Sequence, residues 1–246
     1  MPKTKKCNID GGTITNFYDV MGDKFTPKIK NVNKHLHGLD LPFRMLVTSF
    51  SGGGKTNLIC NLIQLFCHGE GTFQQIIICT KNKDEPLYNF LKSKSKEILI
   101  KEGLAGNLPK LDETEDKDEQ KLIILDDLLL EKNLAPVENY FIRCRKFGWS
   151  IIFITQSYYR VPKTIRLNIN YLAILKIGSK RDTNMILSEV GVGVTKEQLM
   201  NMFEYSTRKP LDVFLIHIEK RPSERYHHNL LNCLNPEMFY EEVMGV

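Results

Sequence analysis

From about residue 43 onward, apolar residues fall alternately into short continuous runs and helical stripes. Residues 43–48 read as a buried strand, and 55–66 as a helix because Leu58, Ile59, Leu62, Ile63 and Phe66 recur at three- and four-residue spacing. Residues 75–79 predict a second strand and 85–100 a helix; 122–125 predict a third strand, after a polar stretch at 112–121 that reads as an exposed loop. A helix over 134–147, with Leu134, Val137, Phe141 and Cys144 on one side, runs into the wholly apolar strand 151–154. Further on, the pattern predicts a strand over 171–177, helices over 183–190 and 196–203, and a last strand over 212–218. Strands alternating with helices predict an α/β fold with a mainly parallel central sheet. Residues 1–40 keep no period and hold Gly11, Gly12, Gly22 and Pro27, so they predict an irregular arm; 41–220 form the core and 221–246 a tail.

A chain of 246 residues can bury one large core. Its 42% hydrophobic and 26% charged residues are ordinary globular values and argue against a disordered or membrane-embedded class. The apolar runs are far shorter than the ~20 residues of a membrane helix, and the lysine-rich start has no apolar stretch behind it, so neither an export signal nor a membrane partner is expected. The six cysteines (Cys7, Cys60, Cys67, Cys79, Cys144 and Cys233) form no C-x-x-C pair, which suits reduced thiols in a cytosolic compartment. The histidine pairs His35/His37 and His227/His228 lack partners at zinc-finger spacing, so no transition metal is expected. The net charge of +5 is uneven, with twelve Lys/Arg against seven Asp/Glu over 160–225. A basic surface attracts phosphate backbones, but so modest an excess fits a plain solvated face equally well.

The chemistry is concentrated in three segments. Ser49-Phe-Ser-Gly-Gly-Gly-Lys-Thr56 follows a predicted strand and opens a predicted helix, the setting in which a glycine-rich loop cradles phosphates. Ser51, Gly52, Gly53 and Gly54 would turn backbone N–H groups toward ATP, Lys55 would neutralise the β and γ oxygens, and the Thr56 hydroxyl would face Mg²⁺. The usual spacing puts glycine where this chain has Ser49. The second segment, Lys121-Leu-Ile-Ile-Leu-Asp-Asp127, is a buried strand ending in two carboxylates. Asp126 is the candidate Mg²⁺ ligand and Asp127 the candidate group that polarises the attacking water. In the third, the strand 151–154 runs on through Thr155 to Gln156, a candidate γ-phosphate sensor. Asn82-Lys-Asp-Glu85 superficially matches a GTPase guanine motif, but it ends in the wrong acid and precedes the carboxylate strand. The paired carboxylates favour an NTPase over a small-molecule kinase, whose acceptor is not an activated water.

In order and spacing the chain resembles the FtsK-HerA superfamily of DNA-pumping P-loop ATPases, and most of all the genome-packaging ATPases of large DNA viruses and virophages. The resemblance covers roughly 43–218 and rests on Ser-Gly-Gly-Gly-Lys-Thr56, Leu-Asp-Asp127, Arg143-Cys-Arg-Lys-Phe-Gly148, Phe-Ile-Thr-Gln156, Ile165-Arg-Leu-Asn168 and Ser179-Lys-Arg-Asp-Thr183. It implies a three-layer RecA-like (ASCE) P-loop domain in which the Gln156 strand lies between the two motif strands. It also implies a homo-oligomeric ring of five or six subunits, with Arg145 completing a neighbour's site and Arg143 as the other candidate. The implied partners are double-stranded DNA and a capsid or portal-like vertex protein, in the host cytoplasm at the viral factory or in association with the virion. Asp127 stands where cellular pumps usually carry glutamate, as in the viral branch. A helicase or repair translocase, and a nucleotide-gated scaffold with little hydrolysis, remain as alternatives.

Overall fold

The computed structural model describes residues 14–17, 20, 29–111 and 118–239. Most of the expected arm, Cys7, positions 112–117 of the expected loop and the last seven residues lie outside them.

Among the described residues one sheet contains β1 (Arg44–Thr48), β2 (Gln75–Thr80), β3 (Ile98–Glu102), β4 (Lys121–Asp126), β5 (Trp149–Thr155), β6 (Tyr171–Ile174), β7 (Phe214–His217), β8 (Tyr226–His228) and β9 (Asn232–Leu234). Their spatial order is β3-β2-β4-β5-β1-β6-β7-β8-β9. Pairings from β3 through β6 are parallel, and those from β6 to β9 antiparallel. All seven residues of β5 are buried, as expected of a parallel strand covered on both faces.

Alternate residues of each central strand feed two separate cores. Leu46, Ile123, Leu125, Ile151 and Phe153 face one side, where they meet α4 (Ala135–Arg143), α5 (Lys163–Asn168), α6 (Lys180–Val190) and α7 (Lys196–Ser206). Met45, Val47, Leu122, Ile124, Ile152 and Ile154 face the other, against α2 (Lys55–Phe66) and α3 (Pro86–Lys94). The α2 stripe predicted from spacing is the buried face: Leu58, Ile59, Leu62, Ile63 and Phe66. The result is the expected helix–sheet–helix sandwich.

Three predicted segments come out differently. The helix expected over 85–100 ends at Lys94, because Ser95 turns extended (φ −146°, ψ 136°), and Ile98–Glu102 forms edge strand β3 on β2. Leu87, Leu91 and Ile98 fit helical spacing, but pairing of Ile98–Glu102 with β2 decides. The helix expected over 134–147 gives way at Cys144 to a 3₁₀ turn, Cys144–Phe147, closed by Gly148 at φ 70°. Residues 222–234, expected as tail, contain a one-turn helix α8 (Pro222–Arg225), β8 and β9, with Tyr226 fully buried in the sheet. Strands of three residues are too short to show a period.

Just before the core, α1 (Lys34–His37) packs on the far end of α2. The Asn33 side-chain amide donates to the carbonyls of Phe66 (3.1 Å) and His68 (2.9 Å) and to the Thr72 hydroxyl (3.2 Å), satisfying acceptors that a helix C-terminus leaves open. His37 is fully buried, edge-on to Phe66 with ring centroids 5.0 Å apart, and its Nδ1 accepts the Leu39 N–H at 3.0 Å. Burial, aided by His35 and Lys34, lowers its pKa to about 4. A folded-state pKa below the unfolded one means that the unfolded chain takes up the proton first. Stability from this group is therefore intact above pH 6.5 and declines as pH falls toward 4. Urea unfolding should show a loss of about 2 kcal/mol between pH 7 and pH 5. His37→Gln should flatten that part of the curve; an unchanged decline in the variant would place the titration elsewhere.

Candidate active site

The glycine-rich loop joins the C-terminal end of β1 to the first turn of α2, and its geometry leaves no room for a side chain at Gly52, Gly53 or Gly54 without strain or a clash. Gly52 (φ 75°) and Gly54 (φ 91°) lie in the left-handed region, where a Cβ is strained. Gly53 does not, but a Cβ there would lie 2.0 Å from the Ser49 hydroxyl. Ser49, the departure from usual spacing, is buried and donates its hydroxyl to the Lys176 carbonyl at 2.9 Å, tying the loop to the segment just after β6. Lys55 Nζ donates to the Ser49 and Phe50 carbonyls at 3.2 and 2.8 Å, so its ammonium sits inside the loop curve. Burial lowers the Lys55 pKa, against which the charges of Asp126 and Asp127 pull upward.

Both carboxylates follow from the end of β4. Asp126, half-buried, accepts the Tyr88 hydroxyl on one oxygen at 2.6 Å. Burial raises the Asp126 pKa, the Tyr88 bond and Lys55 oppose that, and Asp127 and Glu85 add to it. Asp127 takes φ 54°, a left-handed conformation that aspartate tolerates better than most non-glycine residues, and leaves the strand direction sharply. Its carboxylate accepts Gln156 Nε2 at 3.4 Å.

That contact exists because β5 lies between β4 and β1. Thr48 of β1 is in register with Thr155, and Asp126 of β4 with Ile154, so Gln156 emerges between the phosphate loop and the carboxylates. One cleft of about 230 Å³ is lined by Ser51, Gly52, Lys55, Thr56, Asp126, Asp127 and Gln156. Gly53 and Gly54 lie behind it in the loop, where Gly54 packs toward Leu211.

Arg145 is exposed in the 3₁₀ turn before β5, and Arg143 ends α4 with its guanidinium 5.5 Å from the centre of the Phe147 ring. Both sit at the opposite end of β5 from Gln156, a strand length of roughly 20 Å away. The fold therefore does not bring either arginine into its own chain's cleft.

The cleft also contains residues that sequence reasoning missed or set aside. Thr80, Lys81, Asn82 and Glu85 line it because β2 is the other neighbour of β4. Asn82 and Glu85 thus belong to the cleft, although they do not form a guanine motif. Tyr88 is fully buried at the start of α3. Nothing singles it out within the helix predicted over 85–100; only the β2–β4 pairing discloses its carboxylate partner.

The donor set fits a hard divalent cation: a threonine hydroxyl and a carboxylate with one oxygen left over from Tyr88, all oxygen ligands beside room for phosphate. No helix among the described residues is long and apolar enough to cross a membrane.

Solved structures with the same fold include the genome packaging NTPase B204 of Sulfolobus turreted icosahedral virus 2, in complex with ATP-gammaS. It has TM-score 0.56 and 11% identity over 78% of this chain and 100% of that one. The DNA-packaging ATPase B204 of Sulfolobus turreted icosahedral virus matches with TM-score 0.54 and 12% identity, over 78% of this chain and 98% of that one. The cytoplasmic domain of the Type VII secretion ATPase EccC of Thermomonospora curvata matches with TM-score 0.50 and 13% identity, over 79% of this chain but 24% of that one. At such identities these likenesses establish the P-loop NTPase fold. No curated protein matches in sequence. The family model described as Poxvirus A32 protein matches residues 32–219, which takes in every strand from β1 to β7 and the whole cleft. The chain belongs to the poxvirus A32 protein family.

Proposed function

We propose that this chain is an ATP-driven motor that moves double-stranded DNA into a preformed capsid, working as a homo-oligomeric ring at a capsid or vertex protein in the host cytoplasm. The observation that carries the reading is the meeting of the phosphate loop, Asp126-Asp127 and Gln156 at the ends of three adjacent parallel strands. Family membership across that region supports it. So does the likeness in fold to the two Sulfolobus turreted icosahedral virus proteins, which are a genome packaging NTPase and a DNA-packaging ATPase.

In this mechanism the backbone of Ser51–Thr56 holds the triphosphate and Lys55 exchanges its loop carbonyls for β- and γ-phosphate oxygens. Thr56 and Asp126 would hold Mg²⁺, which when bound supplies charge neutralisation along the phosphates. Tyr88 fixes the rotation of the Asp126 carboxylate, so that its second oxygen is the one presented. Asp127 accepts a proton from, or orients, the attacking water, and Gln156 beside it reports the γ-phosphate. Arg145 acts on the next subunit's nucleotide, since its own lies at the other end of β5.

The deciding experiment is turnover of the purified protein with and without blunt double-stranded DNA. Stimulation without strand separation on forked substrates is expected. Unwinding would favour a helicase, and negligible turnover with nucleotide-dependent assembly would favour a scaffold.

Two sets of variants test the residue roles. Asp127→Asn should bind Mg-ATP nearly normally while kcat falls at least ~10²-fold; unchanged turnover would remove Asp127 from the chemistry. Lys55→Ala should weaken nucleotide binding itself, and retained tight binding would refute its role.

Arg145→Ala and Asp127→Asn subunits should each be nearly inactive, yet mixed rings should regain activity at interfaces that combine an intact Asp127 with an intact Arg145. Mixed rings as inactive as their components would rule out Arg145 and move the test to Arg143.

A further inference from the structure

The chain leaving β5 is tied to α6 more tightly than an exposed turn requires. Thr155 and Ser157 close a tight turn around Gln156: the Ser157 N–H donates to Thr155 Oγ1, and that hydroxyl donates to the Ser157 carbonyl, each at 3.1 Å. Beyond the turn, one carboxylate gathers the loop. Asp182 Oδ1 accepts the Ser157 hydroxyl at 3.1 Å and the Tyr159 N–H at 2.7 Å. Next to it, the Arg181 guanidinium lies 3.4 Å from the centre of the Tyr159 ring. Tyr158, between these contacts, donates to Glu189 on the same helix at 2.8 Å, and Arg166 grips Glu189 through both carboxylate oxygens at 3.1 Å.

Asp182 is 5% exposed, and no Lys or Arg forms an ion pair with it among the described residues. A buried carboxylate without a cation is costly unless it is well hydrogen-bonded. Here the cost is offset by the two loop donors and by its place in the first turn of α6, whose N-cap Ser179 accepts the Asp182 N–H at 3.2 Å. Tyr158 and Glu189 already anchor the loop to α6, so Asp182 is not needed merely to keep it attached. Its bonds instead fix the residue immediately after Gln156.

We infer that Asp182 is a positioning residue for Gln156, holding the turn that aims the Gln156 amide at Asp127 and at the γ-phosphate. This inference rests on the sensor role given to Gln156 above. The physical reason for a rate effect is that misplacing a catalytic group by about 1 Å costs up to ~10²-fold.

A double-mutant cycle on the full chain, with DNA present and ATP saturating, tests it. Asp182→Ala should lower kcat about tenfold while the Kd for ATP changes less than about twofold. Asp182→Asn, which keeps an acceptor oxygen, should restore most of the rate. In a Gln156→Ala background, Asp182→Ala should reduce kcat no further, because the group it positions is already gone. A purely structural role predicts the same fractional loss in both backgrounds, and that result overturns the inference while leaving the sensor reading intact. Wild-type turnover by Gln156→Ala alone overturns the sensor reading and the inference with it. Should Asp182→Ala fail to fold, Ser157→Ala removes one of the two loop bonds and enters the same cycle, with an expected loss of about threefold; no loss, or an additive one, is equally decisive against the inference.

Discussion

Strand β5 lies between β1 and β4, with every residue buried and no side chain free to carry chemistry until Gln156. A covered parallel strand can place polar groups only at its ends, and the register of its two neighbours decides which groups meet there. Here the pairs Thr48–Thr155 and Asp126–Ile154 bring the phosphate loop, the carboxylates and the amide to a common level. A slip of one residue in either pairing would send every side chain of that strand to the opposite core and shift its C-terminal end out of level with its neighbours. The alternating contributions of these strands to two cores therefore secure the cleft as well as the stability of the sandwich.

The cleft places like and unlike charges against one another. Asp126 is pushed toward its neutral form by burial and by Asp127, and is held charged by Tyr88 and Lys55. Lys55 is pushed toward neutrality by burial and held charged by the two aspartates. The ionisation of Asp126 and that of Lys55 are therefore linked, and a phosphate beside Lys55 would add a negative charge that acts on Asp126 as well.

Much of this was legible in the sequence. Glycines between a strand and a helix, two acids at the end of one apolar run and an amide at the end of another are local patterns, and they pointed to Lys55, Thr56, Asp126, Asp127 and Gln156, which line one cleft. What escaped depends on non-local pairing. Strand β3 looks helical until it has β2 beside it, and Tyr88 looks like core until β2 and β4 adjoin. Asp182 lies in a segment whose resemblance to a family was visible, while its bonds to Ser157 and Tyr159 become apparent only when α6 packs against the turn after β5. Strands β8 and β9 are too short to show any period, and they find their place by extending an antiparallel edge.

Helix α2 starts at the phosphate loop and ends, about 18 Å away, in the grip of Asn33. Its backbone hydrogen bonds run along the axis and keep that length nearly fixed, so displacement of one end is felt at the other. The segment holding Asn33 also carries Lys30, bonded to Glu70 at 2.7 Å just past the helix. Anything that draws this segment away would pull on the rear of a rod whose front bears Lys55. Lys55 is therefore joined, through a single helix, to a surface segment about 18 Å from the glycine-rich loop.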